Sequence, residues 1–101
     1  MKLRRTPQAL SGFRKVSSYI LQSFGIQALR EFRRRVHESE EAIVKMPNIG
    51  AIEWTNEEGV IYRSLTIHRR SKLLYFIKED NIYIADFWDT RHTVPTDLRN
   101  E

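Results

Sequence analysis

Apolar residues recur at steps of three or four from Leu10 through Phe13, Val16 and Ile20 to Phe24, which makes one stripe along a helix. Thr6-Pro7 predicts its start: a hydroxyl N-cap is followed by proline at the first helical position, where no N–H is needed. Gly25 ends it, because glycine takes a positive φ without steric cost. A second stripe, Ala28, Phe32, Val36 and Ile43, predicts a helix from about Gln27 to Lys45, with Ser39 as a polar interruption. Pro47, Asn48 and Gly50 stop it. Joined at Gly25 with almost no loop, the helices should form an antiparallel hairpin whose apolar faces cover one face of a sheet.

The period then shortens to that of strands. Val60–His68, Lys72–Lys78 and Ile82–Trp88 are rich in β-branched and aromatic residues, and the turns between them, Arg69-Arg70-Ser71 and Glu79-Asp80-Asn81, are short enough for antiparallel hairpins. Leu73-Leu74-Tyr75-Phe76-Ile77 is apolar on both faces, as the centre of a sheet requires. Lys2-Leu3-Arg4-Arg5 reads as a first strand with Leu3 inward. Residues 51–59 (AIEWTNEEG) are a connection of undecided form, in which Trp54 either caps the core or sits in an interface. Beyond Trp88, Pro95 forbids an ordinary central strand, so the tail leaves the sheet as a turn or short extension that can lie across the open face. The expectation is one α+β domain over residues 1–101: an N-terminal strand, a two-helix antiparallel hairpin, then a three-stranded antiparallel meander.

Composition narrows the class. Hydrophobic residues at 41% and charged ones at 30% suit a globular chain of 101 residues with a modest core. The absence of cysteine excludes disulfide scaffolds and thiolate metal sites. No apolar run approaches the roughly 18 residues of a membrane span, and the cations of MKLRRTPQAL have no apolar segment behind them as in a signal peptide. A soluble cytoplasmic protein is expected.

The net charge of +4 is distributed in blocks. Residues 1–35 hold nine Lys/Arg against one acid, 36–61 one against six, 62–78 five against none, and 79–101 two against six. Basic patches of this kind meet a phosphate backbone or an acidic partner, or are simply solvated. On the second helix, Arg30, Arg33, Arg34 and Arg35 precede Glu38, Glu40 and Glu41, and Glu38 lies four residues after Arg34. That spacing favours a solvated face of helical ion pairs.

Little conventional catalytic machinery is present. His37, His68 and His92 lack the spacing of known ligand sets, the glycines are isolated, and no serine stands in a nucleophile motif, so neither metal nor cofactor is expected. What remains is a set of cations, Arg63, Lys72 and Arg91, near an imidazole of His92 or His68. Metal-independent cleavage of RNA needs a base for the 2′-hydroxyl, an acid for the leaving oxygen and cations for the charge on phosphorus. These residues supply them if adjacent strands bring them to one face; in the alternative, Arg63 pairs with Asp86 or Asp89 and the histidines are idle.

Several local patterns, in this order, carry a family likeness. They are Tyr19-Ile20-x3-Phe24-Gly25-x2-Ala28-x3-Phe32, Met46-Pro47-x2-Gly50, Tyr62-Arg63-Ser64-Leu65, Lys72-Leu73-Leu74-Tyr75-Phe76, and Phe87-Trp88-Asp89-Thr90-Arg91-x3-Pro95. Over nearly its whole length the chain resembles the RelE/ParE superfamily of bacterial type II toxin–antitoxin toxins. The resemblance implies a growth-arresting, plasmid-stabilising toxin of β-α-α-β-β-β order, wrapped by a cognate antitoxin in a hetero-oligomer. RelE-like members are ribosome-dependent mRNA endonucleases, whereas ParE-like members poison DNA gyrase without an accepted hydrolytic site. Carried over by position, Arg63, Lys72 and Arg91 match basic sites of the RelE arm, with Arg69 and Arg70 as further target contacts. Leu65 stands where some ribonucleases are basic, and no tyrosine follows Tyr83, so His92 would replace the tail tyrosine. With the long hairpin joined at Phe24-Gly25, these departures favour gyrase inhibition; ribosome-dependent mRNA cleavage is the alternative.

Overall fold

Thr6 caps the first helix as its sequence predicts, its hydroxyl accepting from the Ala9 N–H at 3.0 Å. In the computed structural model, which describes residues 1–68 and 71–89, the elements follow the chain as β1 (Lys2–Arg5), α1 (Pro7–Phe24), α2 (Ile26–Lys45), β2 (Ala51–Thr55), β3 (Ile61–His68), β4 (Ser71–Lys78) and β5 (Asn81–Asp89). Gly25 alone joins the helices. At φ 93° it adopts a conformation that glycine reaches without a Cβ penalty, and its N–H closes α1 on the Leu21 carbonyl. No helix among the described residues is long and apolar enough to cross a membrane.

The expected strand, helical hairpin and meander are all present. The sheet has one strand more than the sequence suggested, because 51–55 of the undecided connection forms β2. Strand order is β1-β5-β4-β3-β2: β1 runs parallel to β5 and the other pairs are antiparallel. β2 follows directly on Gly50, whose N–H donates to the buried Tyr75 hydroxyl at 2.9 Å. That hydroxyl donates in turn to the Pro47 carbonyl at 2.7 Å, which ties the exit of α2 to the middle of β4.

Both helices lie on one face of the sheet. Val16 and Ile20 of α1 and Leu29, Phe32, Val36 and Ile43 of α2 are buried against Ile67, Leu73, Tyr75, Ile82, Ile84 and Phe87. The stripe read from α1 is displaced at its ends: Leu10 and Phe24 are exposed, and the helix meets the sheet through Ala9 and Gly12 instead. On α2 the buried polar residue is Glu40, one position after Ser39. The outer face of α2 is the predicted ion-pair lattice, with Arg34 bonded to Glu31 and Glu38, and Arg35 to Glu31.

Between β4 and β5, Glu79 and Asp80 have φ of 52° and 63°. Two successive positive-φ residues are the requirement of a type I′ hairpin turn, which Asn-Gly meets and Glu-Asp does not. Replacing Glu79-Asp80 by Asn-Gly is therefore expected to stabilise the fold by about 1 kcal/mol, read as a higher urea midpoint at unchanged m-value.

Candidate target-binding face

Alternation along the strands gives the sheet two unlike faces. Leu65 and Ile67 of β3 and Leu73, Tyr75 and Ile77 of β4 point to the helices, while Tyr62, Leu74, Phe76, Ala85 and Trp88 form a second cluster on the opposite, open face. Four rings cross the open face in a row. Trp54 of β2 stacks on Tyr62 at 4.8 Å and 12°, Tyr62 meets Phe76 at 5.0 Å, and Phe76 stacks on Tyr83 at 5.2 Å and 15°. Such pairs contribute about 0.5–1.5 kcal/mol each beyond area burial. A shallow cavity of about 430 Å³, lined by Thr6, Val60, Tyr62, Phe76, Lys78 and Tyr83, runs beside this row.

The cations expected to act together are divided between the faces. Arg63 is opposite Tyr75, on the helix side, and Nη1 donates to the carbonyls of Gly50 at 2.9 Å and Asn48 at 3.2 Å. Neither the shared face with Lys72 nor a pairing of Arg63 with Asp86 is found, because β3 places Arg63 and Tyr62 on opposite sides of one strand. Lys72 is opposite Thr66 and Trp88, on the open face. His68 ends β3 opposite Ser71. Arg69, Arg70, Arg91 and His92 lie outside the described residues, as does the side chain of Asp89.

Two groups the sequence reading did not single out complete the Lys72 site. The β2–β3 register shifts between Ile52 and Trp54, and Glu53 at that bulge faces Ser64 and Lys72. Its Oε2 accepts from the Ser64 hydroxyl and lies 3.2 Å from Lys72 Nζ. The Ser64 hydrogen bond, and then Lys72, hold the Glu53 carboxyl below the usual carboxylate range. The one available signal was that Glu53 is the only charge in a five-residue strand.

A second buried carboxylate lies at the far end of β5. Asp86 accepts from Gln8 Nε2 at 3.1 Å and from the Phe87 N–H at 2.8 Å, in the wall of a cavity of about 380 Å³ between α1 and β5. Burial pushes its pKa above the ordinary 3.8, against the Phe87, Gln8 and Lys15 contributions that lower it. A raised acid pKa favours the fold below pH 3.8 and loses that contribution as pH rises through the folded value. Asp86→Asn is therefore expected to gain on the parent between pH 4 and pH 7, as read from the difference in their urea midpoints. Glu31 acts in the opposite direction. Hydrogen bonds from Arg34 and Arg35 lower it to about 2, so its contribution is present above 4.5 and is lost as pH falls through about 2. Because both proteins share Glu31, the difference isolates Asp86.

No protein-family model and no curated protein matches this sequence. Among solved structures, the chain is similar to one of the chromosomal ParDE TA system from P. aeruginosa, at TM-score 0.69 and 20% identity over 88% of this chain and 95% of that one. It is also similar to the YoeB dimer from Staphylococcus aureus, at TM-score 0.54 and 18% identity over 85% of this chain and 92% of that one. The fold is thus the RelE/ParE-like one, a strand, a helical hairpin and a sheet in the same order.

Proposed function

We propose that this chain is the toxin of a two-component toxin–antitoxin module, held inactive in the cytoplasm by a cognate antitoxin and acting, when released, by the ParE route on DNA gyrase. The observation that carries the reading is the likeness to the ParDE chain over 88% of this one, at a higher TM-score than the likeness to YoeB. The side-chain geometry supports it. A ribonuclease centre needs its cations on one face, yet Arg63 and Lys72 are on opposite faces, and Arg63 is engaged by two carbonyls. An efficient general base also titrates near the working pH, whereas Ser64 and Lys72 hold Glu53 below the ordinary carboxylate range.

One observation favours a ribosome-dependent endonuclease as the second reading. Glu53, Ser64 and Lys72 meet on the open face, where a phosphate that captured Lys72 would free Glu53 to take a proton. The deciding experiment expresses the chain alone and follows both targets. Gyrase poisoning gives a DNA-damage response and blocks supercoiling by purified gyrase, with Glu53→Gln still active. Ribosomal cleavage gives mRNA cuts in primer extension that Lys72→Ala abolishes. Unimpaired growth without an antitoxin would remove both readings.

A further inference from the structure

Carboxylates set into this fold are not equally compensated. Glu40 is met by Arg5, and Glu53 by Lys72. Asp86 is 7% exposed, yet among the described residues its hydrogen-bond partners are neutral, the Gln8 amide and the Phe87 N–H. Lys15 stands exposed at the rim of the cavity and acts on Asp86 only at a distance. A carboxylate taken out of water without a charged partner is costly, and such groups are normally paired. Here the group is not sealed in. It lines the cavity of about 380 Å³ between α1 and β5, and Gly12 admits it beneath the helix, since a Cβ there would overlap Oδ1.

We propose that this cavity binds a small organic cation, an ammonium or guanidinium group on an apolar body, with its charge on Asp86. The lining suits that class. Tyr19, Phe87 and Trp88 supply aromatic surface, which attracts a cation as well as an apolar body. Ser71 adds a hydroxyl that can accept a further N–H. Small-molecule sites of roughly 300–1,000 Å³ combine apolar walls with a few polar groups in this way. Gln8 holds the position that a charged donor fills better, because a cation's hydrogen bond to a carboxylate is about twice as strong as a neutral amide's. An anion would be repelled by Asp86. A metal ion lacks ligands, since no cluster of three His, Cys, Asp or Glu exists among the described residues. The site rests on no choice between gyrase and ribosome.

Calorimetric titration of the purified chain with n-butylguanidinium and n-butylammonium chlorides tests this. The neutral isostere n-butylurea and sodium chloride at matched ionic strength are the controls. Both cations are expected to bind saturably at one site, and neither control is. Asp86→Asn keeps the shape of the side chain and should weaken the cations by at least about tenfold, with a thermal melt at pH 7 no lower than the parent's. Lys15→Gln removes a like charge from the rim and should tighten them severalfold, a change that a purely structural Asp86 would not give. A capped arginine tripeptide that binds as well as n-butylguanidinium would assign the cavity to a partner's side chain and overturn the small-molecule reading. Titrations with both cations that do not saturate by tens of millimolar, or equal affinity for the parent and Asp86→Asn, also overturn the proposal.

Discussion

Gly12→Ala is expected to lower the melting temperature by about 15 °C, since a loss of about 3 kcal/mol in a domain of this size moves Tm by that order. On helix propensity alone the change should help by about 1 kcal/mol. The packing outweighs it. A Cβ at position 12 would overlap Asp86 Oδ1 and lie 2.9 Å from the Phe87 carbonyl, so α1 would have to lift from β5 or the Asp86 carboxylate would have to leave its partners. Overpacking against backbone falls at the upper end of its usual cost, because a strand in mid-sheet cannot yield as a side-chain tip can. Calorimetry beside Ser18→Ala, an exposed site on the same helix, separates the two effects. Equal melting temperatures for both variants would mean that α1 does not approach β5 this closely.

Arg5→Ala should cost about 2 kcal/mol, below the 3–5 typical of a broken buried pair because Arg5 is half exposed. Arg5 Nε and Nη2 reach the two oxygens of Glu40 at 2.8 and 2.5 Å, a bidentate grip between the first strand and the second helix. Glu40 is only 6% exposed. Without its partner its carboxylate is left unpaired between β1 and α2. Replacing both residues by methionine should recover most of the loss, because the penalty comes from the orphaned carboxylate rather than from the absence of an ion pair. A double-mutant cycle in urea reads this directly, and additive single losses would contradict it.

The helix boundaries were legible because they depend on local chemistry: Thr6-Pro7 at one end, Gly25 at the join and Pro47 after the exit. The meander was legible because three runs of strand formers are separated by short polar turns. β2 was not. Its bulge interrupts the two-residue period, and Glu53 in its centre reads as a loop residue until Ser64 and Lys72 are seen beside it. The face of α1 was misplaced because hydrophobicity marks large side chains, whereas closest approach to the sheet falls on the small ones, Ala9 and Gly12. The candidate site was the least legible part. With β4 apolar on both sides, nothing in the chain says which parity faces the helices, and that parity alone separates Arg63 from Lys72. Asp86 was named only as a partner for Arg63, and its burial under α1 depends on the glycine opposite it.

The row of rings from Trp54 to Tyr83 has an optical consequence. The chain contains two tryptophans, and both belong to the cluster on the side of the sheet away from the helices. Intrinsic emission excited at the indole band therefore watches mainly the open face, although Trp88 also lines the cavity beside α1. A partner that settles across the sheet meets both indoles and one that fills that cavity meets Trp88 alone, so an unlabelled titration separates the two by the size of the spectral change.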